Sequence, residues 1–462
     1  MTTRRNFMMQ GAVATAALAL PRMASATPGF TQVRGQTALV QLAPPDYPKT
    51  EIWGYDGLMP GPALRLDQGA RVQRRFQNDL PQASSIHWHG IRIDNAMDGV
   101  PGLTQPAVAP GAGFDYDFTV PDAGTYWYHA HNRSVEQVAR GLYGALIVAE
   151  KDAPDADRDE VLILDDWLLD PETAQINADF EAPHDRSHGG RSGNFIATNG
   201  QFNFETDVQQ HERLRLRLIN AANARIFGLG LAGMTGWIVA LDGMPLAQPE
   251  PVTEALILGP GQRADLIVDI TAAQGESAHL VRLDGKDPVS QAAFPVTGQA
   301  ATTPRSAPKA LPPNSRVEVT GLETATKLRL NMQGGAMGSL DAAILNGSRT
   351  SFGDMVKANE FWSFNGIVGM TDTPLATLSR GETVSLDIVN DTAFPHAMHL
   401  HGMHFREVMA DGSQGPFRDT LLLAGGESRT IGFIADNPGD WLFHCHMLSH
   451  AASGMMTWIR VA

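Results

Sequence analysis

The 462-residue chain has a single cysteine, so no disulfide can form within it. Positive charge is also scarce. The 35 Lys and Arg stand against 50 Asp and Glu, a net charge of −15 that sets the surface against nucleic acid and anionic membranes. No apolar run approaches the roughly 20 residues a membrane-spanning helix needs; the weakly apolar stretch from Gly11 to Leu20 has ten. Charged residues make up only 18%, and with 43% hydrophobic residues the composition excludes a disordered chain.

What the chain has in quantity is 46 Gly and 29 Pro, which suits many short strands joined by turns. At roughly 150 residues per domain, the length points to about three domains. The first 26 residues read as an address. Arg4-Arg5 precedes Asn6-Phe7-Met8, the mild apolar stretch follows, and Ala24-Ser25-Ala26 supplies a small-residue cleavage pattern. Paired arginines in that setting look like a twin-arginine signal, which exports folded proteins. The expected mature chain begins near Thr27, lies in the periplasm, has no membrane span and is monomeric.

Two sequence elements recur three times. Gly69–Asn78, His211–Asn220 and Gly381–Asn390 each alternate apolar and polar positions before an Asn, as half-buried strands do. A turn-then-strand unit begins at Ala109, Gly259 and Ala424. Three copies of one pair of elements mean three related β domains. The expected fold is therefore all-β: three consecutive Greek-key β-sandwiches with few, short helices. Their spans are 27–155, 156–300 and 321–462. A Pro-rich linker, 301–320, carries Pro304, Pro308, Pro312 and Pro313.

Ten of the 15 histidines fall in four clusters. These are His87-Trp-His89, His129-Ala-His131, His396-Ala-Met-His399-Leu-His401, and His444-Cys445-His446 followed by His450. His87 lies 18 residues after Gly69, and His399 lies 18 after Gly381. His129 and His444 each stand five residues after a glycine, Gly124 and Gly439. The copies that carry them are the first and third, so the middle domain reads as a spacer. On a strand, residues i and i+2 share a face roughly 6–7 Å apart and can reach adjacent metal ions. One such pair could be two surface histidines; four in matched register argue for a cluster of late first-row metals at a pseudo-twofold interface. Cys445, between two of these histidines, points to the opposite face. With His396, His450 and Met455 it makes two imidazoles, a thiolate and a thioether, the blue-copper donor set.

Together the four clusters resemble the multicopper oxidases, in their laccase-like branch of three cupredoxin domains. Leu58-Met-Pro-Gly-Pro-Ala-Leu-Arg-Leu near the start of the chain adds to the likeness. The resemblance implies four copper ions. A type 1 copper would take His396, Cys445, His450 and axial Met455. A type 2 copper would take His87 and His399. A type 3 pair would take His89, His129, His131, His401, His444 and His446. The implied reaction is four one-electron oxidations of a small reductant, with electrons passing through Cys445, coupled to reduction of O2 to two waters. Asp98, nine residues after His89, matches an acidic residue that the family uses in proton supply, although Asp98-Gly99 also reads as a plain turn. A second acid found in many bacterial relatives beside the last type 1 histidine is missing, because Ser449 and Ala451 flank His450.

The chain has 18 Met but no long Met-rich insertion, and Met332 and Met337 lie in a short Gly-rich stretch. That favours a phenolic reductant over a cuprous or other metal ion. A copper-sequestering protein without turnover is a separate reading, and so is a scaffold that has lost catalysis. The first predicts Met/His-rich repeats and the second missing ligands; neither is seen. His184 and His188 fall in a loop, Pro183 to Gly193, rich in Gly and charge; they are expected to be solvent-exposed, not to form a fifth metal site, and are left out of the site. His404, His211 and His279 are left out of the site.

Overall fold

The computed structural model describes residues 29–314 and 318–462. The segment read as an export signal lies outside the described residues. Three two-sheet units follow one another. The first pairs two four-stranded sheets, the second a six- and a five-stranded sheet, and the third again a six- and a five-stranded sheet with a small hairpin, Ala342–Leu345 and Ser348–Ser351. Each α-helix among the described residues has six residues or fewer. Among the described residues, no helix is long and apolar enough to cross a membrane.

The repeated segments occupy matching places. Arg71–Asn78, Arg213–Asn220 and Glu382–Asp391 each run parallel to their domain's first strand. On its other edge each pairs antiparallel with the recurring turn-then-strand unit. The asparagine that ends each copy is buried and does the same work three times. The Oδ1 of Asn78, Asn220 and Asn390 accepts the N–H two residues on. The Nδ2 donates to two carbonyls of the following loops. A short amide side chain thereby satisfies backbone groups that the ending strand leaves unpaired.

One strand departs from the half-buried pattern expected of it. All eight residues of Arg213–Asn220 are buried. Leu214, Leu216 and Leu218 fill the core of the second domain, and the arginines on the opposite face lie under its neighbours. Arg215 donates two hydrogen bonds to Glu150 at 2.7 and 2.8 Å and one to Asp265 at 2.6 Å. Arg217 reaches Asp159 at 2.7 Å and the Thr125 hydroxyl of the first domain at 2.8 Å. Arg213 is forked onto Asp269 and donates to the Ser306 carbonyl at 2.6 Å. The alternation is real, but the polar face meets protein instead of water, which a period-two pattern cannot tell apart. Between 301 and 314 the chain forms no strand or helix, and it is tied down along its length. Arg305 pairs with Asp155 and Asp157, and the Asn314 side chain exchanges two hydrogen bonds with the Ala123 backbone.

Replacing Arg215 with Ala leaves Glu150 and Asp265, with side chains 4% and 1% exposed, short of a counter-charge. Breaking a buried pair in this way is expected to destabilise the protein by about 3 kcal/mol. A lowered denaturant midpoint followed by circular dichroism is the check.

Candidate metal centre

Strand alternation sorts the first two histidines from their neighbour. On Ile86–His89, His87 and His89 share one face, while Trp88 points back into the core of the first domain. His87 faces His129 across the sheet. In the third domain His399 faces His444 in the same way, and Met398 and Leu400 turn to the core. The two domains meet along this face. His87 stacks on His401 with ring centroids 3.9 Å apart, and His89 stacks on His399 at 3.7 Å. Each stacked pair takes the first histidine of one domain and the second of the other, as a pseudo-twofold axis requires. His129, His131, His444 and His446 close round these four, every one with a neighbouring imidazole centroid within 5.3 Å. His131 keeps some solvent exposure; the other seven are buried.

One ring nitrogen of most of these imidazoles is committed to the protein. His87 Nδ1 donates to the Asp98 carbonyl at 2.8 Å, and His399 Nδ1 to the Asp419 carbonyl at 2.9 Å. His129 and His444 donate to the carbonyls of Ala130 and Cys445. His401 Nδ1 donates to the Asp98 carboxylate at 2.9 Å. His89 uses its Nε2, 3.3 Å from the Asp419 carboxylate. The opposite nitrogens of His87, His89, His129 and His399 have no hydrogen-bond partner, and neither nitrogen of His446 has one. Because both Nδ1 atoms are donors, His401 and His444 turn the lone pairs of their Nε2 atoms toward each other at 3.1 Å.

Burial holds His89, His129, His131, His401 and His446 well below the usual imidazole pKa, and neighbouring histidines add to the effect. His444 is pushed down to about 3 for the same reason. Neutral rings with free lone pairs are metal donors.

The second site lies behind Cys445, as the alternation predicts. Its Sγ is 3.7 Å from His396 Nδ1 and 3.8 Å from His450 Nδ1. Those two nitrogens are 3.0 Å apart. The Nε2 of His396 donates to the Thr392 hydroxyl, whose own proton goes to Asn390 Oδ1 at 2.7 Å. The Nε2 of His450 donates to the His188 carbonyl at 2.7 Å. Two more lone pairs therefore converge, here beside a thiol whose pKa burial pushes up to about 12. Met455 is fully buried in the same apolar cluster, and its carbonyl accepts the Cys445 N–H at 3.1 Å.

Three contributors escaped the sequence analysis. Asp419, the third domain's counterpart of Asp98, is 18 residues beyond His401, whereas Asp98 is nine beyond His89, so register could not reveal it. Arg263 of the middle domain forks onto Asp419 at 2.6 and 2.8 Å and holds its carboxylate well below the usual range against burial. Gly261, two residues earlier, has φ +82°, and a Cβ there would lie 2.9 Å from the His446 ring and 3.1 Å from that of His89. The middle domain is thus no spacer. The one clue in the sequence was an arginine two residues after the turn glycine, where the other two copies have Gly113 and Ser428. His404 is buried 3.8 Å from Asp419 and joins none of the ligand groups. His184 is exposed as expected, and His188 is only partly so, because its carbonyl reaches His450.

The chain matches the family described as multicopper oxidase over residues 36–153, 158–300 and 347–462. It is 32% identical to the multicopper oxidase MmcO of Mycobacterium tuberculosis over 87% of this chain and 82% of that one. It is 27% identical to Laccase-2 of Cryptococcus neoformans over 91% and 82%. The structure of Lac15 from a marine microbial metagenome superposes with a TM-score of 0.76 at 41% identity, covering 93% of this chain and all of that one.

In the metal-free protein, the depressed imidazoles are neutral when folded and protonate readily when unfolded. Stability is therefore full above about pH 6.5 and is lost as pH falls toward 4, the region to which burial lowers His450. His450 alone accounts for about 3 kcal/mol of that loss. Urea melts of the chelator-stripped protein between pH 7 and 4 test this, and metal-loaded protein is expected to resist the change.

Proposed function

Because the chain belongs to the multicopper oxidases, a family of copper oxidoreductases that use O2 and a reducing substrate, we propose that its two histidine sites divide that reaction between them. Four coppers fit the donors. The Cys445 site takes one, through His396, Cys445, His450 and Met455. His87 and His399 take a second. His89, His129, His131, His401, His444 and His446 take a pair. The fit rests on lone pairs facing each other at 3.0 and 3.1 Å, which only a cation between them relieves. Copper supplies one-electron oxidation of the reductant at the cysteine site and four-electron reduction of O2 to two waters at the histidine cluster.

The observation that carries this reading is the run His444-Cys445-His446. Alternation sends the thiol to one site and both imidazoles to the other, so a few covalent bonds connect electron entry with oxygen reduction. The protein's remaining task is to hold rings and protons. Asp98, 2% exposed, fixes His87 through its carbonyl and His401 through its carboxylate, and it stands where a proton can be handed to the cluster. Asp419 has the mirrored position, but Arg263 keeps it ionised, so it orients His89 and His399 and does not deliver protons. His450 is fully buried behind residues 183–188, so a small reductant such as a phenol gives up its electron at the surface of that segment. The work is done in the periplasm by a monomer exported on the Arg4-Arg5 signal.

Oxygen uptake by the copper-loaded protein with a simple phenol tests the assignment, and no uptake at full copper occupancy would return the chain to the copper-binding class. Cys445→Ser is expected to abolish both the blue absorption and phenol oxidation while the circular dichroism spectrum is retained; a fully active variant overturns the reading. Asp98→Asn is expected to slow oxygen reduction about 10- to 100-fold, while anaerobic bleaching of the blue band by phenol keeps its rate.

A further inference from the structure

Arg158–Trp167, the first strand of the middle domain, carries two adjacent buried carboxyls with different surroundings. Leu162 and Leu164 turn into the core of their own domain. Ile163, Asp165 and Trp167 alternate with them and face the first domain, where Ile163 and Trp167 pack in one apolar cluster with Trp127 and Tyr143. Asp166 is well supplied with donors: Arg225 Nε reaches it at 2.8 Å and the Gly193 N–H at 2.5 Å. Asp165 is 2% exposed, and its Oδ1 accepts the Asp166 N–H at 2.7 Å. Among the described residues no cation pairs with it. Burial, with Asp166 beside it, pushes its carboxyl well above the usual range. Asp165 is therefore a neutral acid at pH 7, set into an apolar contact between two domains.

What that acid faces is the edge of the histidine cluster. In the first domain's sheet the strands lie in the order Ile86–His89, Gly124–Ala130, Tyr143–Ala149. His87 stands opposite His129, and His129 opposite Tyr143. Side chains opposed in this way share a face and are roughly 5 Å apart at Cβ. The Tyr143 hydroxyl lies against the Asp165 carboxyl. Yet neither that hydroxyl nor Asp165 Oδ2 completes a hydrogen bond, and the indole N–H groups of Trp127 and Trp167 in the same cluster have no partner either. Buried polar atoms of this kind are ordinarily bridged by ordered water. Trp127 closes the gap to the metal donors, with its ring 4.3 Å from His129 and 5.5 Å from His446. Asp98 serves the other flank, through His87 and His401.

We propose that Asp165 and Tyr143 carry protons to the His129 side of the histidine cluster, as a second supply beside Asp98. This rests on the oxidase reading above and assigns a further pair of residues to the same site. Reduction of one O2 to two waters takes four protons, and a single buried carboxyl must be recharged between them. In one transfer the Asp165 O–H bond breaks as its proton passes to Tyr143 Oη, directly or through one water. The proton that Tyr143 already held moves on toward the cluster, so the tyrosine ends un-ionised. The Asp165 carboxylate regains a proton from the side of Asp166, whose Oδ1 has no partner and whose Arg225 has a side chain 21% exposed. No electron moves in this step. A buried acid without a counter-charge is costly to a fold, and such groups gather where protons are transferred.

Infrared spectra of the metal-free protein at pH 7 are expected to show the C=O stretch of a protonated carboxyl, absent from Asp165→Asn and shifted in Tyr143→Phe. In copper-loaded protein each variant is expected to slow oxygen reduction about tenfold and to raise its solvent isotope effect, and the double variant to be no slower than either. Asp165→Asn added to Asp98→Asn is expected to slow it by more than the product of the single effects, since both supplies are then closed. Copper content, blue absorption and anaerobic bleaching by phenol are expected to stay at wild-type values. Absence of the carboxyl band overturns the proposal, as does wild-type oxygen reduction in both single variants. So does a slowing accompanied by copper loss or by an unchanged isotope effect, which a merely structural role would produce. The infrared measurement needs no copper, and oxygen uptake by the wild type with phenol reports on the oxidase reading separately.

Discussion

The buried ion pair between Arg263 and Asp419 is the constraint on which the histidine cluster depends. Both side chains are inaccessible to solvent, and the cation comes from the middle domain, which contributes none of the eight clustered histidines. Desolvating two charges is costly, and such a pair survives only where every remaining hydrogen-bonding group is satisfied. Here the guanidinium also reaches the carbonyls of Thr125 and Gly261, and Asp419 is shared with His89 and His399. A single carboxylate thereby ties an arginine of the second domain to imidazoles of the first and third. The glycine beside it follows from the same approach. With φ +82° and two histidine rings against it, position 261 has room for neither a side chain nor another backbone shape.

The same logic governs the nitrogen atoms. Each committed ring nitrogen donates to a carbonyl, carboxylate or hydroxyl, which fixes the tautomer and leaves the opposite lone pair facing inward. Most of those acceptors are backbone carbonyls, of Asp98, Ala130, Asp419, Cys445 and His188, so ring orientation is inherited from the path of the chain. Burial works in the same direction, since it disfavours imidazolium and keeps the rings ready for a cation at neutral pH.

The β architecture and its threefold repetition could be read in the sequence, because short strands between Gly and Pro turns leave a periodic trace. The face each histidine takes was legible from i, i+2 spacing alone, and the separation of Cys445 from His444 and His446 followed from it. What escaped has a common cause. Asp419, Arg263 and the His188 carbonyl act across domain boundaries, and a local pattern does not record which surface will be covered. The Arg-Leu alternation of 213–218 reads the same whether its polar face meets water or Glu150. Asp98 could be found because it sits at a family position, and Asp419 could not, since no repeat register leads to it.

The distribution of the histidines has a consequence for the birth of the molecule on the ribosome. His131 and His396 are separated by a whole domain, and the first domain emerges with its four histidines facing nothing. At roughly 5–20 residues per second, the remaining half of the cluster arrives about 15–50 s later. During that interval the nascent chain displays an open half-site able to catch whatever cation the compartment offers. A sequence that postpones closure in this way gains if the ions are met only after translation has ended and the three domains have docked.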